Sequence, residues 1–249
     1  MATIGIATSA ALISLSLLPF VPAPAAASWP FLAASTLPQV AYYVLIARVY
    51  RSSDLGLAYP VMRGTAPLFV TAANAILFGE ILSPLGLLGV ACICGGVLLI
   101  ASGRFRRSDA GETVAMAIAT ALVIASYTVL DGIGVRLSGA PVGYTLWIFL
   151  LTGIPMAGWG MSRHRPQLLQ SIRSNPWIAL GGGSASLLSY GIAVWAMTRA
   201  PVAAVAALRE TSILFAALIS MVLLREKATW GRIAAAILLT AGAVAIRLS

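Results

Sequence analysis

Residues 63–100 read RGTAPLFVTAANAILFGEILSPLGLLGVACICGGVLLI, and residues 209–246 read RETSILFAALISMVLLREKATWGRIAAAILLTAGAVAI. A shift of 146 positions, with no gap, lays Arg63 on Arg209, Thr65 on Thr211, Leu68 on Leu214, Phe69 on Phe215, Leu77 on Leu223, Glu80 on Glu226, Gly96 on Gly242 and Ile100 on Ile246. Self-similarity over such a length says that one half of the chain is built like the other. The question of fold therefore becomes the question of what one half is.

Both copies are apolar almost throughout, and so is the rest of the chain. Of 249 residues, 60% are hydrophobic and 9% charged, where a soluble domain carries about 25% charged residues. A mean hydropathy of +0.96 places the chain in a membrane. Apolar segments fall at 4–20, 29–49, 56–78, 83–102, 112–135, 141–161, 176–198, 201–223 and 228–247, each near the roughly 20 residues that cross a ~30 Å hydrocarbon core. Their residues show no alternation of period two. Backbone polar groups must be satisfied inside the bilayer, so the segments are predicted as helices and not barrel strands. The expected fold is an all-α polytopic membrane protein with nine transmembrane helices. Residues 1–20 followed by APAAAS resemble a signal peptide, but those 20 residues contain no Lys or Arg, and a positive n-region is a defining part of such a peptide. A mature helix is expected there.

The formal net charge of +9 would suggest nucleic acid if it covered a folded surface. Here the arginines sit in the gaps between apolar runs, which is how membrane-flanking charge is distributed. The partners expected are the lipid bilayer and a small-molecule substrate, with no nucleic acid; no oligomeric state is implied. Of the 16 Lys and Arg, eleven fall on one side: Arg48, Arg51, Arg104, Arg106, Arg107, Arg163, Arg165, Arg173, Arg225, Lys227 and Arg232. Arg136, Arg199 and Arg247 fall on the other. The positive-inside rule makes the first side cytoplasmic, with the N-terminus of the chain inside and its C-terminus outside. His164 lies in the same basic cluster and reads as a solvated loop residue.

The basic loop before 56–78 corresponds, under the repeat, to the nearly uncharged loop before 201–223, and the loops that follow are exchanged in the same way. The repeats are therefore expected to be inverted in the membrane, which requires an odd number of helices per unit. Residues 112–249 hold five, 104–111 form a basic connecting loop, and 1–103 hold four. The counterpart of the 112–135 helix would precede Met1, so an opening helix and its loop, about 30 residues by repeat arithmetic, is expected to be missing from the first unit.

With these features in place, the chain resembles the drug/metabolite transporter superfamily, in particular bacterial transporters built from two EamA units of five helices each. The stretch RGTAPLFVTAANAILFGEILSPLGLLGVACICGGVLLIASG (63–103) is similar to the end of a first unit, RETSILFAALISMVLLREKATWGRIAAAILLTAGAVAIRLS (209–249) to the end of a second, and SYTVLDGIGVR (126–136) to an opening helix. The resemblance implies a multi-pass protein of the bacterial inner membrane. It would be a secondary transporter of small metabolites such as amino acids, related compounds or drugs, working as an exporter by alternating access, with no cofactor and no enzymatic activity. Ten-helix members of the family are expected to have cytoplasmic ends, whereas the loop count puts both ends outside once an opening helix is restored. The alternative is a non-transporting membrane protein or a carrier inactivated by truncation.

In inverted-repeat carriers the substrate sits near the midplane between repeats, so repeat-related polar residues inside helices are the first candidates. Arg63 and Arg209 lie seven or eight residues into their segments, about 10–12 Å from a membrane edge at ~1.5 Å per residue. An arginine near a helix centre costs roughly 2.5–3.5 kcal/mol on the insertion scale and must find a water-filled cavity, a carboxylate or carbonyl oxygens. The functional reading is that Arg63 and Arg209 bind an anionic group of the substrate, with Thr65 and Thr211 lining the same path; the alternative is snorkelling to an interface. Glu210, beside Arg209, is a candidate for proton coupling or else the partner of an arginine on another helix. Asp131 is the second proton-coupling candidate, although four residues from the expected helix end it reads first as interfacial. Tyr127, Tyr144, Trp147, Tyr190 and Trp195 fall within spans, and of these Tyr127, Tyr190 and Trp195 are added to the substrate-binding set as stacking or cation–π walls.

Other polar or special residues read as structural. Glu80 and Glu226 sit where an apolar helix ends, and there a carboxylate can accept backbone N–H groups of the next helix. Gly86, Gly89, Gly95 and Gly96 are expected to permit close helix packing, and Pro60 and Pro67 to let their helix bend. Cys92 and Cys94 show no metal or disulfide spacing. One histidine, no HExxH, no GxSxG and no paired carboxylates within a helix leave an enzyme without a catalytic constellation.

Overall fold

The computed structural model describes residues 2–52, 54–102, 110–223 and 230–249. Among these residues the chain is built from helices, with no strand: α1 (Ala2–Leu17), α2 (Trp29–Ser52), α3 (Leu55–Phe78), α4 (Pro84–Ala101), α5 (Ala110–Ser138), α6 (Pro141–Ser174), α7 (Pro176–Ala196), α8 (Val202–Leu208), α9 (Ser212–Leu223) and α10 (Trp230–Arg247). Eight of them are long and apolar enough to cross a membrane. Leu37, Ile76, Leu188 and Ile237 point outward, as side chains do when hydrocarbon is the solvent. Arg104, Arg106, Arg107, Arg225, Glu226 and Lys227, with most of the basic connecting loop, lie outside the described residues.

Local chemistry sets the boundaries. Asp54 caps α3 by accepting from the Gly56 N–H at 2.9 Å. At the other end Gly79, with φ 65°, adopts the left-handed conformation that ends a helix. The cap of α4 is Ser83, whose Oγ accepts from Gly86 N–H at 3.0 Å, so the cap position foreseen for Glu80 is filled by the serine. Pro84 and Pro176 occupy first-turn positions of α4 and α7, where a missing N–H costs nothing.

Three of the expected segments differ from what forms. The 112–135 segment becomes α5 and runs on to Ser138, where Gly139 (φ 62°) stops it. The 141–161 segment becomes α6 and continues to Ser174. Arg163, His164, Arg165 and Arg173 therefore ride on a helix and not in a loop: α6 runs through Pro155 and Pro166 and ends at Ser174, before Asn175 and Pro176. The 201–223 segment is divided: α8 and α9 are separated by a 3-10 turn at Arg209–Thr211. Its repeat counterpart α3 stays continuous across Pro60 and Pro67.

The helices gather into two compact units, residues Met1–Val44 with Leu130–Arg199, and residues Leu45–Val129 with Ala200–Ser249. Each unit draws on both halves of the sequence. In the first, α1 packs on α6 and α7 through small residues. A Cβ on Gly153 would lie 2.8 Å from the Ala7 carbonyl oxygen, and one on Gly183 would lie 2.9 Å from the Ala10 nitrogen. In the second, α4 packs on α10 and α3.

The α4–α10 crossing bears directly on the repeat. α4 and α10 are the same helix shifted by 146 residues, Pro84–Ala101 and Trp230–Arg247. A Cβ on Gly89 would come within 2.8 Å of the Gly242 carbonyl, and one on Gly96 within 3.0 Å of the Ala235 carbonyl. Position 89 meets 242 while position 96 meets 235, so the two copies run antiparallel, as inversion requires. The repeat shift also turns the first contact into the second. Backbones approach this closely because the touching residues are Gly and Ala, the usual device where helices pack in lipid. Gly95, by contrast, has nothing within 4 Å of where its Cβ would be and plays no part in the crossing.

Candidate functional site

Among the described residues the buried acidic side chains lie in two places, one in each unit. In the first unit the centre is Asp131, which is fully buried in α5. The Tyr190 hydroxyl from α7 donates to its Oδ2. Gln39 Nε2 from α2 donates to the same oxygen at 3.0 Å, and the Tyr144 hydroxyl from α6 donates to Oδ1 at 3.4 Å. The network extends outward through Gln39. Its Nε2 also donates to Ser35 Oγ one helical turn back at 2.9 Å, and Thr152 Oγ1 from α6 donates to its Oε1 at 3.4 Å.

The sequence explains how these groups meet. Ser35 and Gln39 are four apart in a helix and share a face. Gly134 follows Asp131 by one turn, and its missing side chain leaves the space that the Tyr144 hydroxyl occupies. Tyr190 is braced by Phe149, ring edge toward ring face, with centroids 6.1 Å apart. Three neutral donors thus hold a carboxyl group that is the only Asp or Glu in its unit. The interfacial position expected for Asp131 is corrected: α5 runs an additional turn and carries the residue into the packed interior. Arg136, further along α5, donates through Nε to the Met197 carbonyl at 2.9 Å, at the C-terminal end of α7 where a cation is favoured.

The second unit holds a different arrangement. Arg63 Nε on α3 lies 2.8 Å from Glu210 Oε2 at the 3-10 turn, with the two side chains 17% and 5% exposed. The arginine thus finds a carboxylate, and Glu210 is the partner of an arginine on another helix. Arg209 occupies the same turn, half-buried. The hydroxyls of Thr65 and Thr211 donate to their own helices, to Val61 O and Leu208 O, both at 2.7 Å. The Thr211 bond to a carbonyl three residues back competes with regular helix geometry and sits where α8 gives way to α9.

Of the residues singled out from the sequence, the structure brings together Tyr190 with Asp131, and Arg63 with Glu210. Tyr127 is buried on the part of α5 that belongs to the second unit. Trp195 is half exposed and borders an apolar cavity of about 250 Å³ with Val142, Thr145, Leu188 and Gly191. Gln39 and Thr152 escaped the sequence reading, and Tyr144 entered it only as an aromatic within a span. A signal for Gln39 was present: it is the only glutamine inside an apolar segment, one turn from Ser35 and next to Pro38. Among the described residues no group of three or more His, Cys, Asp or Glu could hold a metal, and Cys92 and Cys94 are free thiols.

Membrane-length helices, a repeat whose copies run antiparallel and ionisable groups held inside the bundle define a multi-pass membrane protein of the inverted-repeat type. The profile of the EamA-like transporter family matches residues 112–248, more than half of the chain, and the chain belongs to that family. Among solved structures, one crystal structure of a protein matches with a TM-score of 0.74 over 99% of this chain and 86% of its own, at 17% identity. At that identity the likeness speaks for the fold alone. The family match, together with the membrane-length helices, supports a membrane transporter of the drug/metabolite kind.

Proposed function

We propose that the protein is a secondary carrier that exports small metabolites by alternating access, and that Asp131 takes up and releases the proton that drives it. The observation that carries this reading is a carboxyl group buried in a membrane-length helix and held by Tyr144, Tyr190 and Gln39. An ionisable group at such depth is expensive, and marks a solute or proton path by default. Neutral hydroxyl and amide donors stabilise the ionised form, yet leave no cation stranded when the proton arrives.

Arg63 and Arg209 supply the anion-binding part of the proposal, with Thr65 and Thr211 beside them. Glu210 then serves as the resident counter-charge of Arg63, which an incoming carboxylate would displace. The Lys and Arg bias supports a cytoplasmic N-terminus for this chain.

The test is reconstitution into proteoliposomes filled with a pH-sensitive dye and challenged with a panel of amino acids and amines. Solute movement accompanied by proton flux in the wild type, and solute movement with no response to a pH gradient in Asp131→Asn, is the expected result. Proton-coupled transport that survives Asp131→Asn would overturn the coupling. Arg63→Gln and Arg209→Gln are each expected to stop transport while insertion persists, and unchanged transport in both removes the anion site.

A further inference from the structure

Gln39 ties the Asp131 carboxyl to α2 and α6, and each of its partners can reverse its role. Its Nε2 donates to Asp131 Oδ2 and to Ser35 Oγ, and its Oε1 accepts from Thr152 Oγ1. An ionised carboxyl only accepts, whereas a protonated one must donate its O–H. Serine and threonine hydroxyls do either. If the amide turns end for end, Oε1 accepts the new Asp131 O–H and a bond from Ser35, while Nε2 donates to Thr152. The amide therefore makes three hydrogen bonds in either direction, and the charge on Asp131 selects between them. With the amide fixed, a proton on Oδ2 would face the Gln39 N–H donor to donor, at a cost that buried polar groups rarely bear.

We infer that Gln39 is a positioning residue whose amide reverses when Asp131 is protonated, passing the state of the carboxyl to Ser35 on α2 and Thr152 on α6. The inference rests on the reading of Asp131 as the proton-carrying group. Tyr144 from α6 and Tyr190 from α7 also face the carboxyl. On α5 itself Arg136 is engaged with the Met197 carbonyl. The tyrosines each touch the carboxyl from one helix, whereas Gln39 reaches Asp131, its own helix and α6 together. Its place directly after Pro38, inside α2, puts the amide where the helix already lacks one backbone hydrogen bond.

The experiment is an infrared titration of the full chain in lipid nanodiscs, with protons as the only added ligand. The protonated-carboxyl band of Asp131 is assigned by its absence in Asp131→Asn. A glutamine side-chain amide band should change over the same pH range in the wild type and stay constant in Asp131→Asn. Gln39→Leu should abolish the amide change and move the midpoint of the carboxyl band up by about one pH unit, roughly tenfold in proton affinity, the effect of losing one hydrogen bond to a charged group. Thr152→Val keeps both Gln39 and Asp131, and should move the midpoint in the same sense by less; it carries the test if Gln39→Leu does not fold. A titrating Asp131 band whose midpoint is the same in these variants, or an amide band that never responds, overturns the role of Gln39 and leaves that of Asp131 standing. If no carboxyl band is lost in Asp131→Asn, both roles are removed.

Discussion

The two units keep an acidic side chain inside the bundle by opposite means. In the first, Asp131 is held by two phenols and an amide. In the second, Glu210 faces a guanidinium at 2.8 Å, with another arginine next to it in sequence. Neutral donors tolerate either protonation state of their partner, but a buried arginine does not tolerate the loss of its counter-charge. The first arrangement suits a group that changes charge during a cycle. The second suits a pair that keeps both charges, and ties α3 to the point where α8 gives way to α9 until another carboxylate takes the place of Glu210 on Arg63.

The most drastic way to break this contrast is Asp131→Asn. It keeps the shape of the side chain but fixes it as a neutral group with one acceptor oxygen and an amide donor, and is expected to eliminate pH-dependent transport completely while thermal unfolding changes little. A transport assay across a pH gradient, with melting curves in the same detergent, separates the two effects. In the second unit the order is reversed. Arg63→Gln leaves Glu210 buried without its cation and should lower stability by about 3–5 kcal/mol, whereas the double change Arg63→Met with Glu210→Leu should restore most of that loss; denaturant titration of the three variants reads it.

Smaller effects sharpen the architecture around the pair. Gly242→Ala would put a Cβ 2.6 Å from the Gly89 carbonyl, and should cost about 1–3 kcal/mol as α4 and α10 are forced apart. Gly95→Ala, with open space at its Cβ, should be neutral or slightly stabilising, since Ala is the better helix former; an equal loss in both would show that something other than the crossing is being measured. The smallest effect belongs to Thr152→Val, which removes one interhelical hydrogen bond worth about 0.6 kcal/mol and should register as a slight drop in melting temperature.

The repeat was legible because it is written in residue identity: α4 and α10 begin and end 146 residues apart, as their sequences do. The break at Arg209–Thr211 was not. α3 and its counterpart share the Arg and Thr positions, and the copy that stays continuous is the one with two prolines. Local propensity would have placed the break in α3. The glycine reading was right for Gly89 and Gly96 and missed for Gly95, because glycines in one apolar helix look alike until a neighbour selects a face. Asp131 was misjudged by one helical turn: the end of α5 is set by Gly139, and the apolar run faded before it.

Composition and periodicity by themselves determined that this chain lives in a membrane as helices, that its halves are copies and that the copies are inverted. Those properties follow from solvent and charge, which act on every residue wherever it ends up. Which polar side chains meet was decided only in three dimensions. Gln39 and Asp131 are 92 residues apart, and Arg63 and Glu210 are on separate helices. Inside a bilayer each must find a partner, but the sequence states only the need, and helix packing chooses who fills it.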